Sequence, residues 1–183
     1  MKRLVSTLNL SKEDWLRYRK SGITGTDAGA ILGLNPYRSA FQVYHDKISD
    51  TIENMDNEAM RQGRDLEDYV ARRWMEETGK RVYRLPAMLY HPKYSFAHAD
   101  VDRMVMGENA GLECKTTFSL DLKQFNGVEF PVQYYAQCIH YLAVTGADRW
   151  YLAVLAYGRG FFTFTLERDQ AEIDALMAAE ADF

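Results

Sequence analysis

The pattern of hydrophobic and polar residues changes near residue 80 of this 183-residue chain, from helical spacing to short runs rich in β-branched and aromatic residues. The longest helical pattern runs from Asn57 to about Thr78, where Gly79 supplies a stop signal. Its large apolar residues recur near the spacing of one buried helix face: Leu66, Tyr69, Val70 and Trp74.

Capping residues predict shorter helices on either side of this one. The Ser11 segment resembles a capping box, and Ser39 is a candidate N-cap of a helix through Ile48. Between them, Thr26 is a candidate N-cap of a helix that Gly33 stops. Two later helices are predicted, one with Pro131 in its first turn and an end near Val144, and one that starts near Arg168 or Asp169.

The β-rich runs predict five strands, at 81–90, 96–105, 111–117, 150–156 and 161–166. Together with the helices, they indicate an α/β sandwich around one mixed sheet. The length favours a single domain over residues 1–183. The last residues carry no helix-stop signal, which leaves open whether the chain is trimmed or its last helix simply frays.

Composition narrows the protein class only slightly. Apolar residues make up 47% of the chain and charged residues 26%, as in ordinary soluble proteins. No apolar run approaches the length of a membrane span, and the N-terminus lacks the apolar region of a signal peptide. Cys114 and Cys138 form neither a metal-type pair nor a disulfide framework, so we expect a cytoplasmic protein without a membrane partner.

The net charge of −4 argues mildly against a nucleic-acid binder, but the charge is unevenly distributed. Residues 1–40 contain seven Lys or Arg residues and only three Asp or Glu residues. Such a basic segment can contact phosphate groups, or it can simply be a solvated face.

One short group of charged residues indicates a candidate catalytic site. Glu113 and Lys115 lie two residues apart on a predicted strand, so they share a face while Cys114 points away. If Asp102 lies on a neighbouring strand, two carboxylates and an ammonium converge. Such a set can hold Mg²⁺ and suits phosphodiester hydrolysis. Alternatively, Glu113 and Lys115 form a surface pair of little energetic consequence.

Four segments, in order, resemble the PD-(D/E)xK nuclease superfamily, and within it the phage-lambda-exonuclease group of YqaJ-like viral recombinase nucleases. They are residues 19–27 (RKSGITGTD), residues 63–67 (GRDLE), Asp102 with 113–115 (ECK), and residues 135–141 (YAQCIHY). The first and fourth are more distinctive than the superfamily motif itself. The resemblance implies a restriction-endonuclease-like fold, with a central mixed β-sheet flanked by helices.

The same resemblance implies roles for single residues. Asp102 and Glu113 would be metal ligands, with the backbone carbonyl of Cys114 as a third, and Lys115 would activate the attacking water. The other implied residues are Glu67 near the metal, Gln137 at the site, and Arg19 and Thr26 at the 5′-terminal phosphate. The metal would be Mg²⁺, with Mn²⁺ as the alternative.

Two departures from the family pattern bear on this site. Arg103 follows the catalytic aspartate where many relatives carry glycine, which places a cation near the scissile region. Asp100 lies two residues before Asp102 and would share its strand face, so either carboxylate could be the main ligand.

The resemblance therefore implies a Mg²⁺-dependent exonuclease of phage or prophage origin that acts in the bacterial cytoplasm on double-stranded DNA ends, 5′ to 3′. A single-strand-annealing recombinase would be its partner, and a ring-shaped homo-oligomer would concentrate its modest basic patch around DNA. Two alternatives stay open: another PD-(D/E)xK endonuclease or junction resolvase, and a catalytically silent module that binds DNA ends.

Overall fold

The computed structural model describes residues 1–51, 56–118 and 130–183. The helices in these residues are α1 (Lys12–Lys20), α2 (Gly25–Ile31), α3 (Ala40–Ile48), α4 (Glu58–Thr78), α5 (Val132–Thr145) and α6 (Gln170–Asp182). The strands are β1 (Lys2–Ser6), β2 (Ile23–Thr24), β3 (Val82–Tyr83), β4 (Ala87–Tyr90), β5 (Ala97–Ala99), β6 (Arg103–Val105), β7 (Ala110–Thr117), β8 (Arg149–Ala156) and β9 (Gly160–Glu167).

A five-stranded mixed sheet forms the centre, in the order β3-β6-β7-β8-β9. Its two longest central strands, β7 and β8, run parallel, and the other neighbours are antiparallel. Side-chain alternation sends Tyr151 and Ala153 to the face that packs on α4, and Trp150 and Leu152 to the opposite face. The predicted fold class, a central mixed sheet flanked by helices, is confirmed.

A second, smaller sheet was not predicted. Its order is β1-β4-β5-β2, so the chain enters it at the N-terminus and returns to it twice. The predicted strand 81–90 therefore divides into β3 and β4, which belong to different sheets. Pro86 lies at the division, where it has no N–H to donate to a sheet. The predicted strand 96–105 divides in the same way into β5 and β6.

Most helix ends lie where local capping predicted them. Ser11 and Ser39 accept the backbone N–H groups of the first turns of α1 and α3. Asn57 caps α4, and Gly79 ends it with a positive φ of 69°. Asp169 caps α6.

Two predicted helix starts are shifted. The N-cap of α2 is Thr24, not Thr26, because Asp27 completes a capping box with Thr24. Pro131 occupies the N-cap of α5 instead of its first turn. No helix within residues 1–51, 56–118 and 130–183 has both the length and the apolar character to cross a membrane.

Candidate active site

The predicted acidic cluster forms at an open edge of β7. Strand β6 pairs with β7 only at Arg103–Leu112 and Met104–Gly111, so the edge of β7 after Leu112 has no β6 partner. Asp102 lies one residue before β6 and faces this edge, where its Oδ2 accepts the backbone N–H of Cys114 at 2.8 Å. The structure thus brings Asp102 next to the Glu-x-Lys segment.

Glu113 points to the α5 side of the sheet and is only 2% exposed. Its Oε1 atom is 2.5 Å from the Lys115 ammonium and accepts a hydrogen bond from Gln137 Nε2 at 2.7 Å. Gln137 Nε2 also donates to the Tyr141 hydroxyl at 2.8 Å. The other carboxylate oxygen, Oε2, is buried without a hydrogen-bond partner in the described part of the chain. A buried carboxylate oxygen left in this way is costly unless a cation or a water satisfies it.

The carboxylates and the lysine perturb one another strongly. Burial raises the pKa of Asp102 well above its usual value, and the nearby charges of Glu113 and Glu67 raise it further, against the opposing effects of Lys115 and the Cys114 N–H. Burial would lower the pKa of Lys115, but the charges of Glu113 and Asp102 outweigh burial and raise it. Lys115 therefore carries its proton here and acts as a hydrogen-bond donor.

Glu67 reaches the same region from α4. Its Oε1 accepts a hydrogen bond at 2.5 Å from Arg103 Nη1, which also donates to the carbonyl of Asp102 at 2.5 Å. The second nitrogen of Arg103 bonds to Asp68 at 2.5 Å. Sequence reasoning noted Arg103 as a departure but did not foresee that it binds Glu67. The two residues are 36 positions apart in the sequence, and no local pattern signals their contact.

Asp100 is held elsewhere. Its carboxylate accepts the indole N–H of Trp15 at 2.6 Å. The expectation that it shares a strand face with Asp102 is wrong, because residues 100–102 lie between β5 and β6, where the chain passes from one sheet to the other. Asp102, and not Asp100, contacts the Glu-x-Lys strand.

The Arg19 segment forms a second polar cluster. Arg19 Nη2 donates to the hydroxyl of Thr26 at 2.9 Å and lies 3.4 Å from that of Thr24, while its guanidinium stacks over the Trp15 ring at 4.7 Å. Thr24 Oγ1 also contacts Thr26 Oγ1, at 3.1 Å. The predicted pair of Arg19 and Thr26 is thus brought together. Thr24 is a further member that the sequence reasoning did not single out, although it lies in the same segment.

The two clusters adjoin through α5. A Cβ atom on Gly25 would lie 2.8 Å from the Tyr141 ring and 3.0 Å from Gln137 Cγ, so only glycine lets the start of α2 approach α5 this closely. Gln137 in turn bonds to Glu113. One helix therefore contacts both the segment with Thr26 and the acidic cluster.

The acidic cluster offers oxygen atoms of the kind that a hard divalent cation prefers, although they come from only two side chains and one backbone carbonyl. No group of three His, Cys, Asp or Glu side chains at metal-binding distance occurs among the residues that the structure describes. The available oxygens are those of Asp102, the unpartnered Oε2 of Glu113, and the carbonyl of Cys114. In a β-strand, the N–H and C=O groups of one residue point toward the same neighbouring strand. The Cys114 carbonyl therefore points to the side on which the Cys114 N–H meets Asp102. Two carboxylates and a carbonyl suit Mg²⁺, which keeps several waters.

The comparisons with known proteins define the family. Residues 14–148 match the YqaJ-like viral recombinase domain, and the chain belongs to this family. Over 98% of its length it is 41% identical to the uncharacterized protein YqaJ of Bacillus subtilis, and it spans 57% of that protein.

Solved structures share the fold at low sequence identity. An alkaline exonuclease, LHK-Exo from Laribacter hongkongensis, matches with a TM-score of 0.75 at 21% identity, over 93% of this chain and 91% of that one. A phage-related exonuclease from Haemophilus somnus matches with a TM-score of 0.66 at 11% identity, over 92% and 93% of the two chains. The chain therefore shares its fold with these two exonucleases.

Proposed function

We propose that this protein is a Mg²⁺-dependent exonuclease that digests linear double-stranded DNA from the 5′ end. The observation that carries the proposal is Glu113 Oε2, which has no hydrogen-bond partner among the described residues, beside Asp102 and with the Lys115 ammonium on the same strand face. Membership in the YqaJ-like family and the fold shared with two exonucleases support a nuclease acting on DNA.

Asp102, Glu113 and the carbonyl of Cys114 hold the cation in this proposal. Bound there, Mg²⁺ supplies Lewis-acid polarisation of the scissile phosphate. Lys115 lies beside Glu113 on the same strand face, where it orients the attacking water and stabilises negative charge on the phosphate. Gln137 keeps Glu113 in place through its hydrogen bond to Oε1, which leaves Oε2 for the cation.

Arg19, Thr24 and Thr26 bind the 5′-terminal phosphate. A guanidinium beside two hydroxyl groups offers several donors to a phosphate, and Arg is well suited to this geometry. Cleavage of the bond between phosphorus and the 3′ oxygen leaves a new 5′-phosphate on the shortened strand. Each cut therefore regenerates the group that this cluster binds.

Partners follow from the same scheme. The remaining 3′ single strand passes to a strand-annealing recombinase, in line with the viral recombinase family. A ring of several copies would concentrate the basic residues of each N-terminal segment on one DNA duplex, which offsets the net charge of −4. Size-exclusion chromatography with light scattering, with and without DNA, tests this assembly.

Digestion of end-labelled linear duplex with and without Mg²⁺ tests the function. We expect Mg²⁺-dependent release of nucleotides from the 5′ end, and none from closed circular DNA. Lys115→Ala and Glu113→Ala should each abolish digestion. Cutting of circular DNA would instead identify an endonuclease or junction resolvase, and DNA-end binding without turnover would identify a silent module.

The phosphate cluster has its own test. Thr26→Val removes the hydroxyl while nearly keeping the volume, and we expect the preference for 5′-phosphate over 5′-hydroxyl ends to fall about tenfold. Thr26→Ser keeps the hydroxyl and should keep the preference. An unchanged preference in Thr26→Val would place the 5′-phosphate elsewhere.

A further inference from the structure

Arg103 has an unusual environment for a charged side chain. Its side chain is only 5% exposed, and Arg103 directly follows Asp102 in the sequence. The guanidinium reaches three acceptors: the carbonyl of Asp102, just before β6, and Glu67 Oε1 and Asp68 Oδ1 on α4. One buried cation thus joins the start of β6 to two consecutive carboxylates of α4.

The contacts divide unequally between the two carboxylates. Asp68 is 67% exposed and has a second partner in Arg84 at 2.9 Å. Glu67 is 25% exposed, and its contact with Arg84 is long, at 3.5 Å, whereas its contact with Arg103 is 2.5 Å. Arg103 is therefore the principal group that fixes the Glu67 side chain.

A single nitrogen of Arg103 sets the position of Glu67 relative to Asp102. Nη1 donates both to Glu67 Oε1 and to the Asp102 carbonyl, so the helix carboxylate is tied to the backbone of a cluster residue. The charge of Glu67 is close enough to raise the pKa of Asp102. The hydrogen bonds that Glu67 accepts from Arg103 and from Arg84 both use Oε1, and none to Oε2 is present within the described residues.

We propose that Arg103 is a positioning residue, which holds Glu67 toward the cation site formed by Asp102 and Glu113. This inference rests on the proposed function. Residues that hydrogen-bond to a metal ligand, without touching the metal, fix the position of that ligand. Removing one of them typically lowers metal affinity or activity 10–100-fold. If Arg103 formed only a structural salt bridge between α4 and β6, its removal would lower the stability of the protein but would not change its metal affinity.

Mn²⁺ binding to the DNA-free protein, measured by calorimetry or electron paramagnetic resonance, tests the proposal without turnover. We expect Arg103→Ala to weaken Mn²⁺ binding about 10-fold or more. Arg84→Ala is the matched control, since Arg84 contacts the same two carboxylates from a side chain that is 61% exposed. Its effect should stay below about fivefold.

Arg103→Lys keeps the experiment decisive if Arg103→Ala does not fold. A lysine keeps the charge but lacks the planar fork that reaches Glu67 and Asp68 together. We expect a folded protein whose Mn²⁺ affinity lies between those of wild type and Arg103→Ala. In digestion assays, kcat should fall with KM for DNA unchanged, because Arg103 acts through Glu67 and not on the DNA.

A double variant shows whether Arg103 acts through Glu67. If it does, Arg103→Lys should weaken Mn²⁺ binding far less in a Glu67→Gln background than in wild type. Equal or tighter Mn²⁺ binding by Arg103→Ala, or by Arg103→Lys, overturns the proposal. Wild-type protein that binds no Mn²⁺ and digests no DNA refutes the proposed function itself, and this inference with it.

Discussion

Two buried acidic regions of this molecule differ in how their charge is balanced. In the first, Asp27 lies at the start of α2 and accepts four donors: Thr24 N, Thr24 Oγ1, Arg38 Nη1 and Lys47 Nζ, all at 2.8–2.9 Å. Burial alone would raise the pKa of Asp27, but the charge and hydrogen bond of Lys47, with the hydrogen bonds of Thr24, lower it below its usual value.

In the second region, Asp102 and Glu113 share fewer donors. The pKa of Asp102 is raised by burial and by the neighbouring carboxylates, and Glu113 Oε2 has no hydrogen-bond partner in the described part of the chain. The difference shows what each region is for. A carboxylate whose donors are complete stabilises the fold, whereas two carboxylates that share the single ammonium of Lys115 leave a place for a further cation.

The largest expected effect separates activity from stability at Glu113. Glu113→Gln removes the charge but keeps an oxygen for Gln137 and Lys115, so digestion should fall at least about 100-fold. The melting temperature should stay equal or rise, because the surplus negative charge is removed while Asp102 remains as the counter-charge of Lys115. Single-turnover digestion and thermal unfolding measure the two effects. A large drop in melting temperature would contradict the contrast with Asp27.

Asp27→Asn should show the opposite behaviour. Removing this charge leaves Lys47 and Arg38 without their buried counter-ion, so the free energy of unfolding should fall by about 3–5 kcal/mol. Asp46→Asn is the control, since Asp46 pairs with the same Arg38 from a side chain that is 47% exposed. Its loss should stay within about 1 kcal/mol. Urea denaturation compares the two variants, and equal losses would show that burial does not decide the difference.

Local features explain which parts of the fold could be predicted from the sequence. Helix starts at Ser11, Ser39 and Asn57 depend on contacts within one turn, so capping patterns were enough. The alternation of side chains along a strand was sufficient to predict that Glu113 and Lys115 share one face. The order of the four motifs was sufficient to predict the family. These are short-range relations, which spacing along the chain expresses directly.

Long-range pairing explains what the sequence did not reveal. Strand β1 was missed because its partner β4 lies more than 80 residues away, and the division of 96–105 between two sheets separates Asp100 from Asp102. The contact of Arg103 with Glu67 likewise depends on how α4 packs against the sheet. No local pattern encodes which distant carboxylate a buried cation will meet.

The smallest expected effect tests whether an unpartnered oxygen alone marks a cation site. Glu180 is buried on α6 with Oε2 unpartnered within the described residues, like Glu113. The side chain that contacts Glu180 in the described part of the chain is a histidine and not a second carboxylate. Glu180 Oε1 lies 2.7 Å from His140 Nδ1, while His140 Nε2 donates to the His98 carbonyl at 2.8 Å. We expect Nδ1 to donate to Glu180 as well, which makes His140 an imidazolium and the contact an ion pair between α5 and α6.

This ion pair predicts a pH dependence of stability with a definite sign. Burial would lower the pKa of His140, but the charge and hydrogen bond of Glu180 raise it above 6.5. The stabilisation is therefore fully present below pH 6.5 and is lost as pH rises through the folded-state pKa. Glu180→Gln should accordingly lose most free energy of unfolding, relative to wild type, in mildly acidic solution, and the difference should shrink toward alkaline pH.

Urea denaturation of the variant and of wild type from pH 5.5 to 9 measures this difference in the free energy of unfolding. A difference that grows with pH would mean that His140 is neutral, and Mn²⁺ binding that depends on Glu180 would remove the distinction between this carboxylate and Glu113.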